Sequence, residues 1–244
     1  NARITKKTYD KWNSVKYFSN SVFKNISKAY PQNKETHNFL KKLNVSKIKI
    51  IGNLKFVSND RDKLIKLENT LLKNIKNRKI WCASSTHTGE EIICCKVHLN
   101  LKKKHKNLLT IIIPRHTDRV NKIVQEIKNL KLNVVLHSSN PKKLENTDIY
   151  LVDTYGETKK FYNASGLVFM GKSLTGKGGQ NPLEPAREGA AILYGPNTDN
   201  FSDIYKLLDK LRITHKVNGV SSLTKLVNKL IIKTNNKKNY LKIE

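Results

Sequence analysis

The chain has 244 residues, 38% of them hydrophobic, and a formal net charge of +28. That length suits one large α/β domain, or one domain with an extension. No apolar run approaches the roughly 18 residues a membrane-crossing helix needs, so no transmembrane helix is read from this sequence.

Residues 1–45 differ from the rest. Tyr9, Trp12, Val15 and Phe18 recur at helical spacing, as do Phe39, Leu40 and Leu43, and Tyr30-Pro31 separates the two groups. These read as helices and a linker. Strand–helix alternation follows. Strands are expected at Ile48 to Ile51, Lys79 to Ala83, Leu108 to Ile113, Leu132 to Leu136, Ile149 to Val152, Leu167 to Met170 and Ala191 to Tyr194. Helices are expected at 61–76, Glu90 to Leu101, 118–130, Gly156 to Asn163, from about Leu183, Ser202 to Lys210, and from about Ser222. The β-branched run Leu108 to Ile113 suits a strand buried on both faces. Repeated β-α units imply an α/β fold with a Rossmann-like, doubly wound parallel sheet. The expected division is a helical segment over 1–46 and a nucleotide-binding domain over 47–244.

Cys82, Cys94 and Cys95 form neither a disulfide framework nor a metal-ligand spacing, and are expected as buried thiols of a reducing compartment. The positive charge is almost all Lys; Arg stands only at 3, 61, 78, 115, 119, 187 and 212. Base reading favours clustered Arg. The dispersed Lys therefore reads first as a solvated surface, then as attraction to an anionic membrane surface, and no nucleic-acid partner is expected. A basic nucleic-acid-binding module remains the alternative from another class. The sequence does not begin with Met, its only Met is Met170, and the start Asn1 to Lys7 is polar. The expectation is a fragment of a longer protein, without a signal peptide at this start.

Ligands of parallel sheets bind at the carboxyl ends of strands. The segments at those ends are Gly52 to Lys55, Ala83 to Glu91, Pro114 to His116, Asp153 to Glu157, and Gly171 to Glu184. They are rich in small residues and hydroxyls, which suits a phosphate and a ribose. Gly171 to Lys177 matches GxxxxGK, but Gly178 replaces the Ser or Thr that would bind Mg²⁺, which argues against a Walker loop. The segment reads instead as a flexible Gly-rich lid. Asn181 is expected to cap the next helix, with Pro182 as its first residue and Glu184 in its first turn. His87 and His116 lie in no metal-ligand pattern; no metal and no cofactor are expected.

Six of these stretches, in order over residues 1 to about 205, resemble the 3-deoxy-D-manno-octulosonic acid (Kdo) transferase family. They are Asn1-Ala2-Arg3-Ile4, Gly52-Asn53-Leu54-Lys55-Phe56, Ser85 to Glu91, Pro114-Arg115-His116, Asp153 to Glu157, and Gly178 to Ala186. The resemblance implies a GT-B glycosyltransferase, of which this chain would be the donor-binding half, taking CMP-Kdo as donor and a lipid A precursor as acceptor in lipopolysaccharide biosynthesis. By position, Pro114 and Arg115 would meet the CMP. Tyr155, Gly156 and Glu157 would form a second wall, and Asn181, Pro182, Leu183 and Glu184 would hold the nucleotide. Lys55 would stabilise transition-state charge. Tyr155 replaces the usual Met, Lys172 the usual Gly and Gln180 the usual His. The general base and a membrane anchor would lie in an N-terminal part outside this chain, so the chain alone would be inactive. The resemblance places the enzyme on the cytoplasmic face of the inner membrane. A GT-B transferase using a UDP- or GDP-sugar is the nearest alternative.

Overall fold

The computed structural model describes residues 1–51 and 67–234. The chain divides into two compact units, Asn1–Lys63 and Leu64–Glu244. In the first lie α1 (Lys6–Ser14), α2 (Lys16–Lys24) and α3 (Lys34–Lys42). Thr5 and Asn33 cap α1 and α3 by accepting from the N–H groups of Thr8 and Thr36. The run Tyr9 to Phe18 is split between two helices, because Val15 leaves helical geometry (φ −116°, ψ 50°). Ile4, Phe23, Leu40, Leu43 and Val45 form this unit's core. The strand expected over Ile48 to Ile51 is corrected here. Ile48 makes only an isolated parallel bridge to Ala29, while Ile50 and Ile51 stay about half exposed and pair with nothing among the described residues.

The second unit opens with α4 (Asn69–Ile75), the described part of the amphipathic run expected over 61–76. There follow β1 (Lys79–Thr86), α5 (Glu90–Lys102), β2 (Leu108–Pro114), α6 (Val120–Asn129), β3 (Val134–Leu136), β4 (Ile149–Leu151) and α7 (Thr158–Ser165). Then come β5 (Leu167–Met170), α8 (Leu183–Arg187), β6 (Ala191–Tyr194), α9 (Ser202–Lys210), β7 (Thr214–Lys216) and α10 (Val220–Thr234). The seven strands are all parallel, in the order β3-β4-β2-β1-β5-β6-β7. This is the Rossmann-like, doubly wound sheet the β-α alternation implies. Edge strand β7 was not expected. Thr-His-Lys is short and polar, so no apolar run signals it.

Alternating strand residues feed two cores. Ile80, Cys82, Ile111, Val168 and Ile192 pack with α4, α7, α8 and α9. Trp81, Ala83, Ile112, Phe169 and Leu193 pack with α5, α6 and α10. All three cysteines are fully buried, and burial pushes their thiols upward, that of Cys95 to about 12, so they stay protonated.

From β1 the chain winds outward through α5 to β2; from β5 it winds the other way to β6. β1 and β5 are neighbours, with Cys82 opposite Val168. The loops that leave them diverge, and their carboxyl ends form the crevice of a topological switch point.

The opposite rim is closed by bonded polar groups, of which Asp148 and His98 are buried. Arg78 donates to the carbonyls of Leu108 and Thr147 at 2.6 Å each and of Leu144 at 3.0 Å. Asp148 meets Lys102 Nζ at 2.5 Å and accepts from the Asn133 N–H. His98, fully buried, lies between Thr110 Oγ1 at 2.8 Å and Asp148 Oδ1 at 3.3 Å. Burial drives its imidazole down to about 4, against the opposing pull of Asp148. An unfolded histidine titrates near ~6.5. The unfolded state therefore binds the extra proton first as pH falls, and stability declines between about pH 6.5 and 4. We expect His98 to account for a loss on the order of 2–3 kcal/mol over that window. Urea midpoints across pH 4.5–7 should show this slope, flattened in His98→Asn. An unchanged slope in the variant would contradict a neutral buried His98.

Candidate functional site: the β1–β5 crevice

The carboxyl end of β1 is built around a bulge. Ser84 pairs with Ile113 and Thr86 with Pro114, which leaves Ser85 out of the ladder at φ +54°. The Arg115 N–H donates to the Thr86 carbonyl at 3.0 Å, joining the Pro114–Arg115 corner to this strand end. On the other side, the Gly171 N–H donates to the Ser84 carbonyl at 2.8 Å. A β-carbon on Gly171 would lie 2.3 Å from the Ser85 carbonyl oxygen, so only glycine lets the two loops approach this closely.

Two consecutive glutamates at the start of α5 hold the crevice, and both are fully buried. Glu91 accepts both arms of Arg119 at 3.1 Å each, and the Thr86 hydroxyl at 2.9 Å. It thereby fixes the short turn Thr117–Arg119 that follows Arg115. Glu90 faces the other loop. Its carboxylate accepts the N–H groups of Lys172 (2.7 Å), Ser173 (3.0 Å), Leu174 (2.9 Å) and Thr175 (3.4 Å). It also accepts that of His87 at 2.9 Å. Ser173 Oγ donates to the Met170 carbonyl at 2.5 Å and accepts the Gly195 N–H at 2.8 Å. Asn197 binds the carbonyls of Ser173 and Leu174. The Gly-rich segment expected as a flexible lid is thus tied down over 171–175. Its amides face a protein carboxylate.

The segment Asp153 to Glu157, which follows β4, has its own bracing. Asp153 accepts the N–H and hydroxyl of Ser138, and Glu157 Oε2 lies 2.7 Å from Lys160 Nζ. Gly156 takes φ +84°, and Tyr155 is 75% exposed. The Thr154 hydroxyl is buried and has no hydrogen-bond partner among the described residues. Further on, the Asn181 side chain accepts the Leu183 N–H at 3.2 Å. The helix begins at Leu183, with Pro182 as its cap residue, one position later than expected. Glu184 is exposed, yet its charge helps raise the buried Tyr162 phenol, which burial has already pushed up. Tyr162 in turn bonds Ser84 Oγ at 2.7 Å on β1. Arg115 is exposed. No hydrogen bond or ion pair of its guanidinium occurs among the described residues. Lys55, expected to stabilise charge, lies outside the described residues.

His87 and His116 stack edge to face at 5.7 Å, and His87 Nδ1 lies 3.1 Å from the Ser85 carbonyl. Burial holds His87 below its usual value, opposed by that carbonyl and by Glu90. Among the described residues no group of three or more His, Cys, Asp or Glu could hold a metal ion. The sequence motifs include Glu90 but do not give its role, and they do not single out Arg119 or Asn197 for the site. No motif signals the role of Glu90, which is the first residue of α5 after the Gly89 cap.

A family model described as 3-deoxy-D-manno-octulosonic-acid transferase (kdotransferase) matches residues 1–58. The 3-deoxy-D-manno-octulosonic acid transferase of Haemophilus influenzae is 32% identical over 224 residues, which are 91% of this chain and 52% of that protein. Its namesake from Rickettsia felis is 32% identical over 232 residues, 93% of this chain and 49% of that protein. Over nine-tenths of its length the chain is similar to curated Kdo transferases. It spans about half the length of these curated relatives. In structure it is similar to the C-terminal CMP-Kdo binding domain of WaaA from Acinetobacter baumannii (TM-score 0.59, 23% identity), covering 66% of this chain and 90% of that one. That likeness shows a shared fold.

Lys172, where the resemblance implies Gly, sits at φ +57°. The left-handed region costs a non-glycine residue about 1 kcal/mol. We expect Lys172→Gly to stabilise the chain by up to about 1 kcal/mol, offset in part by the greater freedom of unfolded glycine. A rise in urea midpoint at constant m would show it; a fall would mean that the lysine side chain contributes more than its strained backbone costs.

Proposed function

We propose that this chain binds CMP-Kdo in the β1–β5 crevice and forms the donor half of a Kdo transferase acting on a lipid A precursor. One observation carries the reading. The similarity to curated Kdo transferases runs over nine-tenths of the chain, and its described motifs in the sheet unit fall at the carboxyl ends of β1, β2, β4 and β5.

The chemistry follows from the donor. An acceptor hydroxyl attacks the anomeric carbon of Kdo, a new C–O bond forms, and the bond to the CMP phosphate breaks. The hydroxyl proton passes to a base, which in the family is a Glu outside this chain. Negative charge grows on the leaving phosphate as the sugar becomes oxocarbenium-like. Cations already in place stabilise that charge without reorganising. Arg115, exposed and without an ion pair among the described residues, is suited to this task, with Lys55 as the second cation. Glu184 and Asn181 are assigned to the nucleotide, Glu184 to its ribose hydroxyls. The net charge of +28 favours work at an anionic membrane surface, and the cytoplasmic face of the inner membrane is the proposed location. No helix among the described residues is long and apolar enough to cross a membrane.

Calorimetry should detect CMP binding by the folded 244-residue chain, preferred over UDP. Arg115→Ala and Glu184→Ala should each weaken it by about tenfold, or roughly 1.4 kcal/mol. A folded chain that ignores CMP, or prefers UDP, would contradict the donor assignment.

A further inference from the structure

Glu90 offers more than a brace. Four consecutive amides, those of residues 172–175, converge on one side chain. An array of adjacent N–H groups in a turn is the arrangement that binds phosphate. Here it is filled from within. A carboxylate is acceptor-only, with about four lone-pair sites, and Glu90 already takes five N–H groups. It is fully buried, and the loop around it is fixed on its far side by Ser173 and Asn197. A donor phosphate could reach those amides only by displacing the carboxylate or by lying against its charge.

We propose that Glu90 is a positioning residue whose carboxylate serves as the permanent anion of the β5 loop, so that the donor phosphate is met by side-chain cations and not by the amides of 172–175. The second half of this statement rests on the donor reading above. Adjacent glutamates divide the work. Glu91 holds the β2 corner through Arg119, and Glu90 holds the loop leading to Asn181 and Glu184. One turn of α5 therefore sets the spacing between the two sides of the crevice.

Amide hydrogen exchange on the whole chain, with CMP titration alongside, tests this. Without ligand, the amides of 172–175 should already be protected, and CMP should change that little. Glu90→Gln keeps the size but turns an –NH₂ group toward N–H donors. It should speed exchange at 172–175 by at least about tenfold, leave β2 and β5 protected, and weaken CMP binding by a similar factor. Glu91→Gln should leave 172–175 protected. Free exchange of 172–175 in the unliganded parent chain would overturn the proposal, and needs no variant to fold. So would strong new protection on adding CMP, or tighter CMP binding by Glu90→Gln, since either result would make the amides the phosphate site. If the parent chain binds no CMP, the donor reading fails, while the ligand-free exchange comparison still decides the role of Glu90.

Discussion

The crevice depends on a negative charge that belongs to the protein. The Glu90 carboxylate sits where β1 and β5 part, and it collects amides from both loops. A switch point opens a gap because its two chains wind apart; left alone, the loops there would have backbone groups without partners. Burying a carboxylate is costly unless its lone pairs are satisfied, and here the loop satisfies them. The same contact therefore settles two problems, the orphan amides of a Gly-rich turn and the burial of an acid. Gly171 permits it by allowing the loop to lie directly against the Ser85 carbonyl.

The two rims of the sheet contrast. At the amino ends, Arg78, Asp148, His98 and Lys102 are bonded to one another or to carbonyls. Those groups hold strands together. At the carboxyl ends, buried acids brace the loops, while Arg115, Tyr155 and Glu184 stand exposed. An exposed cation beside a rigid backbone is ready for an incoming phosphate, because little needs to reorganise on binding. The asymmetry separates a rim that holds strands together from a rim that leaves polar side chains open to a ligand.

Much of the fold was legible in the sequence because burial leaves a pattern. The strands Leu167–Met170 and Ala191–Tyr194 and the helix Ser202–Lys210 stand where they were expected, since each is an apolar run or a helical stripe with clear ends. Edge strand β7 escaped because its residues are polar and its pairing is one-sided. Ile48 misled because a short apolar run looks the same in a bridge as in a strand. The described motifs of the sheet unit do fall at strand ends, but a motif does not report which way a side chain points. The Gly-rich segment reads as a flexible lid from its own residues; only the fold brings Glu90, 82 positions away from Lys172, against its amides. The left-handed backbone at Lys172 is likewise invisible in its own residue type, since a lysine gives no signal of a positive φ.

A crystal structure of the chain with CMP would test the central claim most directly. The account predicts nucleotide density at the carboxyl ends of β1, β2 and β5, the phosphate beside Arg115, the ribose beside Glu184, and the Glu90 carboxylate still bonded to the amides of residues 172–175. CMP bound elsewhere, or its phosphate seated on those amides with Glu90 displaced, would contradict it.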